Sequence, residues 1–559
     1  MKKLILILVS VLLFTSLYAQ ESGLKFYVLH FTDKGTNTDA SISPSAYLSD
    51  KAVLRRLKHH IAFDQSDIPV NDQFVNEVAK SGARILTRSR WFNTVVIETS
   101  SETAEQISKL PFISKIQFIQ NKTEDVSKTL NLFFDEENIK PSENRIFKKV
   151  ADDTYDYGIA YNQINQLNGQ FLHNNGFSGQ GMTIAVIDAG FNSVDIMPCF
   201  DSLRANNQIK GTRDFAVPGN NVYAATMHKH GTSVLSCMGS YVSGQLVGTA
   251  PKADYWLLRS EVGESESILE EYYWVSAAEF ADSIGADLIN SSLGYTTFDN
   301  PLTNHTYADM DGNTTVVTIG ADKAAEKGIL VVNSAGNSGQ DSWGYIGAPA
   351  DGDSVFTIGA VGSDGVRAGF SSLGPTYDRR IKPTVSATGL GSAIFYPNYP
   401  SPPTLGYGNG TSFSSPITCG ITACLWQALP DYSNMDIIEA IKATASQASQ
   451  PDSLLGWGIP NYQYAYTTRS ISEKTVNTQL QTYPNPFTDK LTIGFPDALN
   501  GSYTVDIFDL QGKSVYSQTG NNSSLRSLQI NDLGFLTPGI YIVKVLNGSL
   551  QFSSRILKI

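Results

Sequence analysis

The hydrophobic positions in the middle of the chain form short continuous runs, separated by stretches with helical spacing. The runs are TIAVI, DYWLLRS, ADLINSSL, GILVVNSA and SVFTIGAV. Helical stretches such as ILEEYYWVSAAEFADSIG and ADKAAEKG stand between them. Continuous apolar runs are typical of parallel strands buried on both faces, with helices covering the sheet. Residues 155–468 are therefore predicted to form an α/β domain with a mostly parallel sheet and helices on both faces.

Residues 20–120 follow a different pattern, in which strand-like and helical segments alternate in the order of a split βαβ unit. The segment DQFVNEVAKSG has four apolar side chains on one helical face, namely Phe74, Val75, Val78 and Ala79. Strand-like runs such as KFYVLHF, ARILTRS and FISKIQFI surround it. A small α+β domain of ferredoxin-like type is predicted, followed by a charged linker at 121–154.

The last part of the chain has the pattern of an all-β domain. Short strand-like runs separated by turn sequences such as LQGK and LNGS fill residues 482–559, which predicts a small antiparallel sandwich. A polar linker at 469–481 precedes this domain.

The first nineteen residues have the pattern of a secretory signal peptide. A basic start, MKK, precedes the apolar run LILILVSVLLF and a small-residue end, which predicts cleavage after Ala19. No later segment reaches the length of a membrane-spanning helix, so no transmembrane anchor is predicted in the mature chain.

The composition limits which partners the protein can bind, and the cysteine positions indicate which thiols can form disulfides. The 559 residues are enough for several domains. The net charge of −12 argues against nucleic acid as a partner, because binding nucleic acid needs concentrated lysine and arginine.

The chain has four cysteines. Cys419 and Cys424 stand about 7.5 Å apart along a predicted helix, too far for a disulfide, so packed thiols are predicted. A bridge between Cys199 and Cys237 stays open.

Polar side chains follow two apolar runs where the predicted strands end. TIAVI leads directly into Asp188, and GILVVNSAG leads into Asn337. Ligands of open parallel sheets bind beyond the carboxyl ends of the strands, so both side chains are predicted to lie at a functional edge. A helix cap or an ordinary turn is the alternative for Asp188.

Two further segments place reactive side chains at predicted helix starts. In MHKHGTSVLSCMGS, His230 opens a helix, and no third ligand stands at a spacing that would make His228 and His230 a zinc site. In GNGTSFSSP, Ser412 lies at the N-terminal end of a buried helix, with Pro416 predicted in the first turn. The helix dipole and the backbone N–H of Ser412 would then face any negative charge that develops beside it.

The chain order Asp188, His230, Ser412 and the motifs around it resemble the subtilase family of serine endopeptidases. The matching motifs are VIDAG, HGTSV, VVNSAGN and GTSFSSP. The resemblance implies a subtilisin-like fold in which Ser412 is the nucleophile, His230 the general base and Asp188 the group that orients it. It also implies that the Asn337 amide and the Ser412 backbone N–H bind the oxyanion.

The same resemblance implies a substrate-binding edge and a pocket wall for the residue before the cut. The residues are Ser292, Leu293 and Gly294 for the edge, and Ser334, Ala335 and Gly336 for the wall. Two motifs depart from the family pattern. Ala189 stands where Ser or Thr usually follows the aspartate, and Ser412-Phe413-Ser414 stands where Ser-Met-Ala is usual at the nucleophile. Pocket shape and preference are therefore expected to differ, while the triad atoms are intact.

The flanking domains acquire roles by resemblance. The α+β domain looks like the inhibitory propeptide of subtilases, which implies a self-processed zymogen. The terminal domain resembles the type IX secretion sorting domain through YPNPF, YTVDIFDLQGKSV, LTPGIYIVKV and RILKI. The implied partners are protein substrates, the chain's own prodomain and the type IX secretion machinery. The implied location is outside the cell or on its surface, after passage through the periplasm.

Two other functions and one metal site stay open. The chain could be a non-catalytic exported adhesin or binding protein on a subtilase scaffold, or an esterase-type acyl hydrolase. No cofactor is predicted to be required. The segment 309–313, DMDGN, resembles the start of a calcium loop, but its glycine is displaced and the distal glutamate is missing. A turn is favoured there, with structural calcium as the alternative. GFSGQG precedes its strand, so it too predicts a turn and not a dinucleotide site.

Overall fold

The structure is a computed structural model that describes most of the chain. It covers residues 23–35, 44–122, 140–141, 152–263, 265–398, 401–468, 480–547 and 550–559. The predicted signal peptide lies outside the described residues, as does most of the two predicted linkers. The chain divides into two compact units between Ala465 and Tyr466.

The first unit begins with a four-stranded antiparallel sheet and three helices. In chain order the elements are β1 Leu24–Phe31, α1 Asp50–Lys58, α2 Asp72–Lys80, β2 Arg84–Ser89, β3 Thr94–Ser100, α3 Ser101–Ile107 and β4 Ile113–Asn121. The strand order is β2-β3-β1-β4, and every neighbouring pair is antiparallel. This is the ferredoxin-like arrangement that the sequence predicts.

Helix α2 shows why this region folds as its pattern predicts. Asn71 caps the helix by accepting hydrogen bonds from the backbone N–H groups of Gln73 and Phe74. Val75 and Val78 are buried in the small core that α2 and α3 form against the sheet. Of the predicted apolar face, Val75, Val78 and the partly buried Phe74 cover the sheet, whereas Ala79 is exposed.

The rest of the first unit is built around a larger sheet. Its elements are β5 Lys140–Pro141, α4 Tyr161–Asn165, α5 Gln170–Asn174, β6 Thr183–Asp188, α6 Asp201–Ala205, β7 Ile209–Asp214, α7 His230–Gly239, β8 Tyr241–Val242, β9 Leu246–Val247, β10 Asp254–Arg259, α8 Leu269–Ser283, β11 Leu288–Ser291, α9 Val316–Glu326, β12 Leu330–Ser334, β13 Phe356–Val361, β14 Val385–Thr388, β15 Leu390–Tyr396, β16 Thr404–Asn409, α10 Thr411–Ala428 and α11 Asn434–Lys442.

Seven of these strands form a parallel sheet in the order β14-β13-β12-β11-β6-β10-β7. The strands β6, β11, β12, β13 and β14 are buried along their whole length, and the predicted apolar runs cover the first four of them. Strands β6, β11 and β12 are neighbours in this sheet and run parallel. The polar residues at their carboxyl ends therefore meet at one edge. The predicted α/β class is confirmed.

Helix α8 connects β10 to β11 and therefore crosses over β6, the strand between them. Trp274, Ala277 and Ala281 of this helix belong to a core cluster that also contains Ile187 of β6. Val28 and Val96 of the N-terminal sheet and Trp91 of the turn between β2 and β3 belong to the same cluster. The N-terminal domain thus packs its second sheet face against the helix that makes the crossover.

A buried charge cluster holds this contact together. Asp282 of α8 is fully buried and pairs with three guanidinium groups of the N-terminal domain. Its carboxylate lies 2.6 Å from Arg55 Nη2, 2.8 Å from Arg56 Nη2 and 2.6 Å from Arg90 Nη2. Breaking a buried ion pair is strongly destabilising, so Asp282 is a main anchor of this interface.

Glu279, one turn before Asp282, forms a second anchor. Its carboxylate accepts hydrogen bonds from the backbone N–H groups of Arg90 and Trp91 and from Ser89 Oγ. Burial raises the pKa of Glu279 above its ordinary value. Glu279 and Asp282 of α8 therefore both bind the turn between β2 and β3 of the N-terminal domain.

The second unit is an antiparallel all-β domain. Its strands are β17 Gln481–Tyr483, β18 Leu491–Phe508, β19 Ser514–Ile530, β20 Gly539–Asn547 and β21 Leu550–Lys558. They follow the order β17-β18-β20-β21, with β19 also paired to β18. The register of β18 against β19 shifts between Gly494 and Leu499. The predicted all-β class is confirmed.

The four cysteines are buried free thiols. The prediction of packed thiols at Cys419 and Cys424 is confirmed, and Cys199 and Cys237 are not bridged. Burial raises the pKa of each thiol well above its ordinary value, as expected of thiols without a nucleophilic role.

Candidate active site

Asp188 and His230 form a hydrogen-bonded pair at the edge of the large sheet. Asp188 is the last residue of β6 and is fully buried, and His230 is the first residue of α7. His230 Nδ1 donates to the carboxylate, at 2.9 Å from Oδ1 and 3.1 Å from Oδ2. Oδ1 also accepts the backbone N–H of Ala189 at 2.8 Å. The carboxylate therefore fixes both the tautomer and the orientation of the imidazole.

Ser412 is the second residue of α10 and is 1% exposed. Its hydroxyl oxygen has no hydrogen-bond partner among the described residues. Helix α10 packs against α7, and the ring of Phe413 lies 6.2 Å from the His230 ring, centroid to centroid. Gly410, just before the helix, has φ of 149°, a backbone conformation that L side chains rarely adopt. Glycine is required there to turn β16 into α10.

Asn337 lies in the loop after β12 and faces the start of α10. Its Oδ1 accepts hydrogen bonds from the backbone N–H and from Oγ1 of Thr411, both at 2.9 Å. Thr411 Oγ1 in turn accepts the backbone N–H of Gly336 at 3.1 Å. Because the oxygen of the amide is held by Thr411, its nitrogen remains available as a donor. The sequence prediction did not include Thr411, although its place directly before Ser412 was a usable signal.

The predicted substrate edge directly follows β11, and the predicted pocket wall begins at the last residue of the neighbouring strand β12. Ser292 and Leu293 are buried, and Leu293 C=O accepts a hydrogen bond from Asn333 Nδ2 at 3.0 Å. The predicted edge also contains Gly294, which is partly exposed. The predicted wall residues Ser334, Ala335 and Gly336 are buried. The structure thus brings all ten predicted site residues to one edge of the sheet.

The prediction for Pro416 is wrong. Helix α10 begins at Thr411, so Pro416 is the sixth helical residue and lies in the second turn. The helix can begin this early because Asn337 Oδ1 accepts the first free backbone N–H, a cap supplied from another part of the chain. The prediction that Ser412 lies at the N-terminal end of the helix is confirmed.

Three buried glutamates lie behind this edge. Ligand oxygens of Glu261, Glu266 and Glu270 lie within 4.8 Å of one another, a spacing that could hold a metal ion. Glu261 Oε1 accepts hydrogen bonds from Ser260 Oγ and Tyr295 Oη, and the two oxygens of Glu270 accept the backbone N–H groups of Val262 and Ser267. These bonds attach the loop after β10 to the start of α8 and to Tyr295. The sequence analysis missed this cluster.

Burial determines the protonation of these carboxyl groups. Burial raises the pKa of Glu261 to about 7, and the charge of Asp188 acts in the same direction. Burial and the charge of Glu261 raise the pKa values of Glu266 and Glu270 well above their ordinary range. The cluster therefore retains protons at neutral pH.

The segment 309–313 forms a turn. Asp309 Oδ2 accepts the backbone N–H of Thr306, and Asp311 Oδ1 accepts that of Asn313. Gly312 adopts a left-handed φ of 82°, and Arg380 Nη2 lies 2.6 Å from the position that a Cβ there would take. The carboxylates thus bind their own loop, as the turn prediction expects.

Family models match three segments of the chain. The model described as the subtilase family matches residues 179–458, and that of the peptidase S8 propeptide domain of Bacteroidota matches residues 26–131. The model of the secretion system C-terminal sorting domain matches residues 481–559. These matches agree with the resemblances stated for the three domains. Among the described residues, no helix has both the length and the apolarity needed to cross a membrane.

Individual proteins resemble the middle of the chain. Subtilisin NAT of Bacillus subtilis subsp. natto is 29% identical over 316 residues, covering 56% of this chain and 72% of that protein. The thermostable alkaline protease of Halalkalibacterium halodurans is 26% identical over 370 residues, covering 65% and 87%. A crystal structure of MycP1 with the N-terminal propeptide removed has a TM-score of 0.42 and 25% identity, covering 55% of this chain and 96% of that one.

Proposed function

Because the chain belongs to the subtilase family and is a serine endopeptidase, we propose that Asp188, His230 and Ser412 are its catalytic triad. The observation that carries the proposal is the buried Asp188–His230 hydrogen bond of 2.9 Å, next to a helix start that presents the unpartnered Ser412 hydroxyl. The substrates are proteins, cut through an acyl-enzyme intermediate.

The roles follow from the geometry. Ser412 Oγ attacks the carbonyl carbon of the scissile peptide bond while His230 Nε2 takes its proton. Asp188 accepts the Nδ1–H of His230 and stabilises the imidazolium that results. His230 then gives the proton to the leaving amine, and water hydrolyses the acyl-enzyme by the same steps in reverse.

Asn337 and the backbone N–H of Ser412 are proposed to bind the oxyanion. The hydrogen bonds from Thr411 hold the amide oxygen of Asn337, which directs its Nδ2 away from Thr411. The N-terminal end of α10 adds the positive end of a helix dipole. Donors fixed in place before the reaction stabilise developing charge without a cost of reorganisation.

The substrate backbone is proposed to pair with Ser292, Leu293 and Gly294 as an added strand. Such pairing uses main-chain hydrogen bonds, so it positions many sequences equally. Ser334, Ala335 and Gly336 are proposed as one wall of the pocket for the side chain before the cut. The small side chains of this wall leave room for a large residue.

The chain is a secreted zymogen that carries a propeptide domain and a secretion sorting domain. We propose that the enzyme cuts itself between residues 121 and 154, and that the N-terminal domain inhibits it until released. The sorting domain is proposed to engage the type IX secretion machinery. No cofactor is proposed for the reaction.

The test replaces Ser412 with alanine in the full chain. Wild type is expected to react with a fluorophosphonate probe at Ser412, to digest casein and to lose its prodomain, because all three need the nucleophile. S412A is expected to do none of these and to accumulate as precursor. Ser414→Ala is the control, since its hydroxyl donates to the Thr411 carbonyl and not to the site.

The outcomes also separate the alternative functions. Labelling and ester hydrolysis without casein digestion would indicate an esterase-type acyl hydrolase. A wild-type chain that neither reacts with the probe nor cleaves any substrate would indicate a non-catalytic binding protein. Normal maturation of S412A would contradict self-processing.

A further inference from the structure

The proline inside α10 removes a hydrogen bond from the nucleophile. In an α-helix the backbone N–H of each residue donates to the carbonyl four residues earlier. Pro416 has no N–H, so the carbonyl of Ser412 lacks its helical donor. Ser412 is 1% exposed, and a buried acceptor without a donor is costly.

A side chain from another element supplies the missing donor. Ser292 Oγ donates to the Ser412 carbonyl at 3.0 Å. Ser292 directly follows β11 and is fully buried, so its hydroxyl is held away from bulk water. The replacement joins the end of β11 to the first turn of α10.

Two further hydrogen bonds extend this connection. Asn290 Nδ2 donates to Ser292 Oγ at 3.3 Å, and Ser415 Oγ donates to Asn290 Oδ1 at 3.2 Å. All three of these side chains are fully buried. The Ser292 hydroxyl therefore accepts a hydrogen bond from Asn290 and donates one to the Ser412 carbonyl.

We propose that Ser292 is a positioning residue for the nucleophile, resting on the proposed function of Ser412. Its hydroxyl holds the Ser412 carbonyl and thereby aims both Ser412 Oγ and the Ser412 backbone N–H. The role assigned to Ser292 at the substrate edge uses its backbone, whereas positioning uses its side chain. One residue thus connects the substrate strand to the attacking atom.

The inference predicts a change in turnover more than in binding. Attack requires near-contact geometry between the hydroxyl and the substrate carbonyl, and small displacements are costly in rate. Without the Ser292 hydroxyl the first turn of α10 shifts until its carbonyl finds another donor. The substrate strand still pairs with the same backbone groups, so KM changes little.

The test is a double-mutant cycle on the mature enzyme, with active sites counted by fluorophosphonate. Ser292→Ala is expected to lower kcat about tenfold and to change KM by less than about twofold. Pro416→Ala restores an N–H at the position that the helix needs. S292A/P416A is therefore expected to have a kcat within about threefold of P416A alone, because the helix then supplies the donor.

The control removes a matched hydroxyl elsewhere. Ser386 is also fully buried, and in the edge strand β14 its Oγ donates to the Leu455 carbonyl at 3.3 Å. Ser386→Ala is expected to keep the wild-type kcat. Equal losses in S386A and S292A would show a general packing defect and overturn the proposal.

The kinetics and the maturation of S292A and of the double variant decide the remaining cases. The proposal is overturned if S292A keeps the wild-type kcat, or if the losses of S292A and P416A simply multiply in the double variant. If S292A does not mature, recovery of mature enzyme in S292A/P416A supports the proposal, and failure to recover it contradicts it. A wild-type chain without peptidase activity would instead contradict the proposed function.

Discussion

Thr411 shows how one side chain can prepare another for chemistry. Its N–H and hydroxyl both donate to Asn337 Oδ1, so an amide that could point either way has one orientation. The same contact caps α10 and places Ser412 one residue inside the helix. The same two hydrogen bonds therefore cap the helix and orient Asn337, the proposed oxyanion donor.

This contact gives a prediction for Asn337. Asn337→Ala is expected to lower kcat by about 10²–10³ with little change in KM, the range seen for an oxyanion donor in subtilisin. Thr411→Val, which removes one of the two hydrogen bonds to the amide, is expected to fall between N337A and wild type. Steady-state kinetics on a peptide amide measures both. A kcat for N337A within about fivefold of wild type would remove Asn337 from the oxyanion site.

The residues that could be predicted from the sequence are those fixed by local pattern. Asp188 and Asn337 follow apolar runs, which indicates a place at the sheet edge. That His230 and Ser412 meet them there is what the resemblance to the subtilase family implies. The depth of Pro416 in α10 could not be predicted, because the helix start is set by a cap from Asn337, which is distant in sequence. The direction of the Ser292 side chain likewise depends on packing against α10.

At the scale of elements, the loop after β10 depends on buried carboxyl groups. Glu270 bonds two backbone N–H groups of this loop, and Glu261 joins it to Tyr295 beyond the substrate edge. Val262 and Gly263 of the same loop line a pocket with His228 and Lys229, beside the candidate site. The apolar runs around the loop predicted β10 and α8. The three glutamates come from the loop and the start of α8, so their meeting appears only in the folded chain.

Protonation of this cluster predicts how stability depends on pH. The folded-state pKa of Glu261 is raised to about 7, so the folded protein binds more protons than the unfolded chain between the ordinary glutamate pKa and that value. Stability is therefore expected to fall as pH rises through about 5 to 8. Glu266→Gln removes one buried negative charge that would form as the cluster loses protons at high pH. This variant is therefore expected to raise Tm at pH 8 by roughly 2–4 °C.

The measurement uses the S412A background, which prevents self-digestion during thermal unfolding. Little difference is expected at pH 5, where the cluster is protonated in both variants. Glu439→Gln is the control, because Glu439 is an exposed partner of Lys442. An equal Tm for E266Q and its background at every pH would contradict the assignment of trapped protons to this cluster.

At the scale of the whole molecule, the contact between the N-terminal domain and α8 is the main interface of the first unit. It combines an apolar cluster, the three arginines on Asp282 and the backbone groups on Glu279. The ferredoxin-like order and the parallel sheet could both be predicted from apolar periodicity. The charge cluster could not, because Arg55, Arg56 and Arg90 look like solvent-exposed charges in the sequence and become buried only by docking.

Asp282→Asn tests this interface in the full chain. Leaving three buried guanidinium groups without their carboxylate is expected to weaken the hold on the cleaved prodomain and shorten the lag before activity appears by about tenfold or more. The kcat per active site should not change, since Asp282 lies near the end of α8 that leads into the start of β11, whereas Ser412 contacts the residue that follows the end of β11. Activity is followed after processing begins, with active sites counted by fluorophosphonate.

Lys58→Ala is the matched control, at a separate contact between the N-terminal domain and the segment after α10. Lys58 pairs with Asp431 at 3.2 Å, and both side chains are substantially exposed, so its loss is expected to change the lag less than about twofold. A D282N chain with the wild-type lag would show that the apolar cluster alone retains the prodomain.

The crossover made by α8 also bears on how the chain reaches its native state. Strand β6 pairs with β11 only after the chain has passed through β7, α7, β10 and α8, and pairing between such distant segments is intrinsically slow. The N-terminal domain emerges earlier during synthesis and has short-range contacts of its own, so it can be folded when α8 appears. It then offers a rigid template on which the crossover can nucleate. If the proposed cut removes this domain, the mature chain no longer carries the template, and we expect it to refold more slowly than the full chain.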